Sequence, residues 1–147
     1  IGDGPERRKM ESLARQLNLS GEIRFLGKQD AIEELLSLAD LFLMPSASES
    51  FGLAALEAMA CEVPVISSDV GGLPEVNIHG QTGYLAQLGD VDTMAKYAID
   101  ILENDETLTQ FRANALSQAR RFDLNTIIPH YESYYESVLK EAVHTQF

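Results

Sequence analysis

Two carboxylates, Glu49 and Glu57, bracket the segment Ser50-Phe51-Gly52-Leu53 where an apolar helix is about to begin. A helix N-terminus offers unpaired N–H groups and a partial positive charge, and a glycine at its start lets a ligand come close to the backbone. Ser50, Phe51, Gly52 and Leu53 could therefore cradle a diphosphate or a sugar hydroxyl. A helix rises about 1.5 Å per residue, which sets the two acids about a nucleotide fragment apart along one side. Glu57 could accept two hydrogen bonds from vicinal hydroxyls, as on a ribose, and Glu49 could meet hydroxyls beyond the phosphates. The spacing alone leaves open a plainer account, in which Glu49 is an N-terminal helix charge and Glu57 is solvated or locally paired.

The elements that must position this segment alternate. Residues Glu6 to Leu17 carry Met10, Leu13, Ala14 and Leu17 at helical spacing, and Asn18 to Gly21 break the pattern. Glu22 to Leu26 reads as a short strand closed by Gly27. Asp30 with Glu33 has the form of a capping box before a helix carrying Ile32, Leu35, Leu36 and Ala39. Leu41 to Met44 is a continuous apolar run, as in a strand buried on both sides. The loop Ser46 to Ser50, a helix over Phe51–Ala60, and a strand at Pro64 to Ser67 follow. Gly71-Gly72 and Gly80 to Gly83 mark turns before a strand at Tyr84 to Ala86, and Glu75 has a loop or helix-start role. Helices are expected over Val91–Glu103, Glu106–Arg120 and Leu124–Ala142. This is α/β alternation, a doubly wound parallel sheet followed by a helical tail. Ligands of such sheets bind beyond the carboxyl ends of the strands. A first strand is expected before Gly2-Asp3-Gly4-Pro5, where only Ile1 stands, so the reading is of a chain whose upstream sequence has been removed.

Composition narrows the partners. The 147 residues suit one domain, and 45% apolar content suffices for a core. Against 11 Lys and Arg stand 23 Asp and Glu, a net charge of −12, which disfavours nucleic acid and anionic membranes as partners. No apolar run approaches a membrane span of about 20 residues, and no leader opens the chain. The single cysteine, Cys61, sits in an apolar run, reads as packing, and fits a reducing, cytoplasmic compartment. Gly2-Asp3-Gly4-Pro5 lacks the third glycine of a dinucleotide fingerprint, with Arg7 in its place, and reads as a strand-to-helix turn. No metal site is expected: His79 has no Cys, Asp or Glu at ligand spacing and reads as a surface turn residue. His130 and His144 read as surface positions of the tail. Tyr131, Tyr134, Tyr135, Ile127, Ile128 and Val138 lie at helical spacing and read as core packing.

The string from Glu49 through Ile66 resembles the Glu-x7-Glu signature of family 4 retaining glycosyltransferases of the GT-B fold. Gly2-Asp3-Gly4-Pro5, Phe25-Leu26-Gly27, Ala39-Asp40, Val70 to Glu75, and Gly80-x-Thr82-Gly83 fall in that family's order. The resemblance implies a Rossmann-like, donor-binding C-terminal half. Glu49 would be catalytic, contacting the donor sugar. Glu57 would bind the ribose, Ser50, Phe51, Gly52 and Leu53 the sugar and phosphates, and Gly27 and Lys28 would border the base. It implies no cofactor or metal, only a nucleotide-sugar donor. A finer likeness, in Phe25 to Asp30, Glu49 to Leu53 and His79 to Leu85, is to members that move N-acetylglucosamine from UDP to a small acceptor such as L-malate in bacillithiol biosynthesis. The family's phosphate-binding Arg and Lys and its acceptor domain would precede Ile1, so this chain alone is expected to be inactive. Its terminal helix would face that missing domain, and its apolar surface would permit self-association. Two other functions stay open: a nucleotide-binding module without catalysis, and a self-associating structural fragment. One departure from the pattern is Glu62, where the family has Gly; a positive φ there would cost stability.

Overall fold

The computed structural model describes residues 1–144, with side chains to 141. It divides into two compact units, Ile1–Glu34 and the residues from Leu35 onward.

In the first unit, α1 runs over Arg7–Gln16. Pro5 precedes it, and the Arg7 guanidinium meets Glu11 one turn on at 2.9 Å, a pair that supports an exposed helix only modestly. Asn18 takes φ 60°, and the Leu19 N–H returns to the Ala14 carbonyl at 2.8 Å, a Schellman ending that satisfies the last carbonyls. The expected breaker is thus a defined helix stop. Of the expected apolar face, only Ala14 is buried; Met10, Leu13 and Leu17 are exposed.

Glu22 to Leu26 is not a strand. A strand exists only as part of a ladder, and here the carbonyls are taken by side chains instead. Arg7 donates to Phe25 O at 3.1 Å and Gln29 to Leu26 O at 2.7 Å. The chain boundary between the units falls in α2, Ile32–Leu36. It opens two residues after Asp30.

The second unit holds a parallel sheet of β1 (Phe42–Met44), β2 (Val65–Ser68) and β3 (Gly83–Ala86), in that order. Phe42 pairs with Val65, and Ile66 with Tyr84. All of β2 is buried, as the unbroken run Pro64-Val65-Ile66 suggests. Between the strands lie α3 (Leu53–Ala60) and a short α4 (Leu73–Val76), which contains Glu75. After β3 come α5 (Val91–Leu102), α6 (Asp105–Arg120) and α7 (Leu124–His144). The first two are capped, Asp90 accepting from Thr93 N–H at 3.0 Å and Asn104 from Thr107 N–H at 2.9 Å. Helix α3 packs on β1 and β2, α5 on β2 and β3, and α6 on α3 and α5. Ile66, Ala86, Met94, Ile101 and Phe111 form the core. The expected parallel α/β sheet with a helical tail is what the chain forms.

One polar residue pins this sheet. Asn77 is fully buried. Its amide donates to Val65 O, Ser67 Oγ and Tyr84 O at 3.0–3.1 Å and accepts from Thr82 Oγ1 at 3.0 Å. It ties β2 to the end of β3, and a buried group so fully satisfied costs little to keep and much to strip of a partner.

The tail corrects one expectation. Ile128, Tyr131, Tyr134, Tyr135 and Val138 are exposed rather than packed in a core, because no described element covers that face of α7. Ile127 alone of the set is half-buried. His130 is exposed, and the side chain of His144 lies outside the described residues. No helix among the described residues is long and apolar enough to cross a membrane.

Candidate functional site

Two loops meet at the carboxyl ends of adjacent parallel strands, one between β1 and α3, the other between β2 and α4. The first carries Glu49, Ser50, Phe51 and Gly52. The second carries Gly71 and Gly72. Gly72 N–H donates to Glu49 O at 3.3 Å. A Cβ on Gly71 would lie 1.7 Å from that same carbonyl oxygen, and one on Gly72 would lie 2.6 Å from Ser50 O. The two main chains are pressed together as closely as backbone allows, and only glycine permits it. Gly71 also takes φ +54°.

Gly52 ends the first loop with φ 100° and is the N-cap of α3, which therefore starts with no side-chain cap. A Cβ there would come within 2.9 Å of Leu73 Cδ2. The expected helix start at Phe51 moves to Leu53 for this reason: a left-handed residue cannot belong to the helix. The start of α3 presents backbone N–H groups to the crevice without a capping carboxylate or hydroxyl from its N-cap.

Glu49 is half-buried. Its Oε1 accepts the N–H of Ser50 at 3.1 Å and, more weakly, that of Phe51 at 3.5 Å. Glu57 lies one turn beyond Leu53 on α3, exposed, its side chain without a hydrogen bond or ion pair among the described residues. It opens on a groove of about 340 Å³ lined by Leu53, Ala60, Leu116, Arg120 and Phe122. Phe51 closes one side of the segment, its ring edge-on to Phe122 at 5.8 Å. An apolar wall, two carboxylates, Glu57 and Asp123, and one cation, Arg120, therefore line this groove.

The structure thus brings together Glu49, Ser50, Phe51, Gly52, Leu53 and Glu57, all on one loop and the helix it feeds. Gly27 and Lys28 belong to the first unit. Gly27 is buried, with its carbonyl accepting Gly2 N–H at 2.7 Å, and Lys28 is exposed. Cys61 is half-buried at the C-cap of α3 and forms no disulfide. Glu62 follows it at φ 62°, the left-handed conformation that the pattern of glycine at this position implies. His79 is exposed in the turn before β3; its Nδ1 accepts Leu85 N–H at 3.0 Å and its ring meets Tyr84 and Tyr97 edge-on. No cluster of three His, Cys, Asp or Glu able to hold a metal occurs among the described residues.

Sequence reasoning read Gly71-Gly72 as a turn and did not see it as a wall of the site. The available signal was two consecutive glycines shortly after the buried strand β2, one strand over from the Glu49 loop.

The family model for glycosyl transferases group 1 matches residues 1–118. N-acetyl-alpha-D-glucosaminyl L-malate synthase of Bacillus anthracis is 43% identical over 142 residues, 96% of this chain and 37% of that protein. The 2-deoxystreptamine N-acetyl-D-glucosaminyltransferase of Niallia circulans is 35% identical, over 96% of this chain and 36% of its own. Among solved structures, Anabaena Alr3699/HepE in complex with UDP superposes with a TM-score of 0.86 at 29% identity, over 92% of this chain and 39% of that one. The chain spans a little over a third of the length of each of these proteins.

Proposed function

The chain belongs to the glycosyl transferases group 1 family, and we propose that it is the donor-binding half of a retaining glycosyltransferase that uses a UDP-sugar, with N-acetylglucosamine as the sugar and a small acceptor such as L-malate. The observation that carries the reading is the pairing of Glu49 and Glu57 across a helix start capped by left-handed Gly52, at the carboxyl end of a parallel strand. The diphosphate takes the N–H groups at the start of α3, which lets a chain of net charge −12 bind an anion locally. Glu57, unpartnered and facing an open groove, accepts the vicinal hydroxyls of the ribose. Glu49 reaches the hydroxyls of the sugar, and Ser50 to Leu53 contribute backbone contacts.

In this reading, catalysis by the whole enzyme comes from holding donor and acceptor in line and from stabilising the departing diphosphate. The acceptor is bound by a part of the protein outside this chain, and the chain alone does not turn over. Two likenesses support the donor: one to a UDP-bound structure, for the nucleotide, and one to two N-acetylglucosaminyl enzymes, for the sugar.

Calorimetric titration of the chain with UDP, before and after Glu57→Ala, tests the assignment. Each hydrogen bond to a carboxylate is worth about 1.5–3 kcal/mol, so loss of even one should weaken UDP binding about tenfold or more. Equal affinity in the two proteins sinks the ribose role.

A further inference from the structure

We propose that His79 is a pH-sensitive latch on the outer edge of the sheet: its neutral imidazole holds the β3 main chain at Leu85, and protonation of the ring releases it. The donor site makes no use of this residue.

The sheet runs β1-β2-β3, so β3 is an outer strand. An outer strand presents main-chain groups that no neighbouring strand satisfies. On β3 the preceding turn folds back to meet them. Gly80 N–H donates to Gly83 O at 2.8 Å, His79 forms an isolated parallel bridge with Gly83, and Leu85 N–H donates to the Nδ1 of His79 at 3.0 Å. The first two contacts are between main chains and do not titrate. The third ends on a ring that does.

An Nδ1 that accepts a hydrogen bond carries no proton, so the neutral ring has its proton on Nε2. The Leu85 amide selects that tautomer, because Nε2 has no partner among the described residues. Although His79 is exposed, its ring is seated on two elements. It meets Tyr84 of β3 edge-on at 5.3 Å and Tyr97 of α5 edge-on at 5.7 Å, and those two rings stack on each other at 4.2 Å. Tyr84 in turn meets Phe111 of the core at 5.4 Å.

Protonation puts a donor on Nδ1. Two N–H groups then face each other at hydrogen-bond distance, and the Leu85 amide loses its acceptor. No ion pair offsets this, since His79 forms none with Asp or Glu among the described residues. The elements packed on the ring bring the hydroxyls of Tyr84 and Tyr97 and, beside Tyr97 on α5, the exposed Lys96 and Asp100. The turn itself carries no other charged residue. Acid therefore frees the edge of β3 at Leu85, while the ladder to β2, with Asp69 N–H on Ala86 O at 2.8 Å, stays closed.

Amide exchange and imidazole NMR on the chain test this from about pH 8 to about pH 5, the span in which histidine changes charge. Circular dichroism establishes that each variant is folded. At the upper pH the wild-type ring should carry its proton on Nε2. As the ring protonates, protection of the Leu85 amide, corrected for the intrinsic pH dependence of exchange, should fall about three- to tenfold, the worth of one hydrogen bond. Protection of the Asp69 amide should not. In His79→Asn, whose amide oxygen accepts without titrating, Leu85 should stay protected throughout. In His79→Phe, which keeps a ring but has no acceptor, Leu85 should be unprotected throughout. A wild-type ring with its proton on Nδ1, Leu85 protection that does not follow the ring's own titration, an equal fall in wild type and His79→Asn, or full protection in His79→Phe overturns the latch. If His79→Phe does not fold, wild type against His79→Asn decides it.

Discussion

Replacing Gly71 by alanine isolates what holds the candidate site in shape. Two separate costs apply. A left-handed residue with a Cβ is strained by about 1–2 kcal/mol, and Gly71 has φ +54°. The new methyl would also lie 1.7 Å from Glu49 O and 2.9 Å from its carbonyl carbon, where ordinary contact begins at 3.4 Å. The obstacle is backbone, so no side-chain rotation relieves it and the two loops must part. Overpacking of this kind costs about 1–3 kcal/mol, and the bond from Gly72 N–H to Glu49 O is lost, a further ~1 kcal/mol. Gly80→Ala is the matched control: its φ is +73°, and a Cβ there meets nothing within 4 Å. It shares the conformational strain, and both variants gain equally from a stiffer unfolded chain. Gly71→Ala should therefore be about 2–4 kcal/mol less stable than Gly80→Ala. For a chain of this size that is a melting temperature about 6–12 °C lower. Thermal unfolding followed by circular dichroism measures it. Hydrogen exchange at the Ser50 and Phe51 amides should speed up in Gly71→Ala before global unfolding. Equal melting temperatures for the two variants would refute the claim that the loops are held by backbone contact at Gly71.

Two further outcomes follow from local geometry. Glu62 is a non-glycine residue at φ 62°; Glu62→Gly should relieve more strain than it adds in chain entropy, raising stability by about 0.5–1 kcal/mol, and a fall in melting temperature would contradict this. Asp90 caps α5, and its pKa lies below the usual aspartate value because of its hydrogen bonding to Thr93, side chain first and then backbone. A depressed carboxylate pKa contributes stability above the ordinary aspartate range and loses it as pH falls through the folded value. Amide exchange at the start of α5 should therefore accelerate on acidification in wild type but not in Asp90→Asn, whose amide caps without titrating; identical pH profiles would count against it.

How much of this was legible beforehand differs by element. The core strands β1 and β2 stood out as short apolar runs, one ended by Pro45 and the other opened by Pro64. The helices α5 and α6, expected over Val91–Glu103 and Glu106–Arg120, form over Val91–Leu102 and Asp105–Arg120. Glu22 to Leu26 failed as a strand because strand character belongs to a pair of segments, and no partner lies beside it in the ladder. The tyrosines of α7 failed as core residues for a like reason. Periodicity reports that a face is apolar, and only the fold reports whether anything covers it. Asn77 carried no sequence signal for its role, since its four partners lie on two other segments, β2 and the turn into β3, that only folding brings beside it.

For the candidate site, the sequence by itself determined the chemistry: two acids spaced along a helix that starts at a glycine, directly after a buried strand. That information is local, because spacing within one loop and one helix is set by helical geometry. The tertiary structure decided the rest. It set Gly71 and Gly72 against the backbone of Glu49 and Ser50, and it folded the Glu49 carboxylate back onto the amides of Ser50 and Phe51. It also left Glu57 unpartnered over a groove whose far wall comes from α6. Each of these joins residues distant in the chain or depends on which way a side chain turns, and packing alone settles such choices.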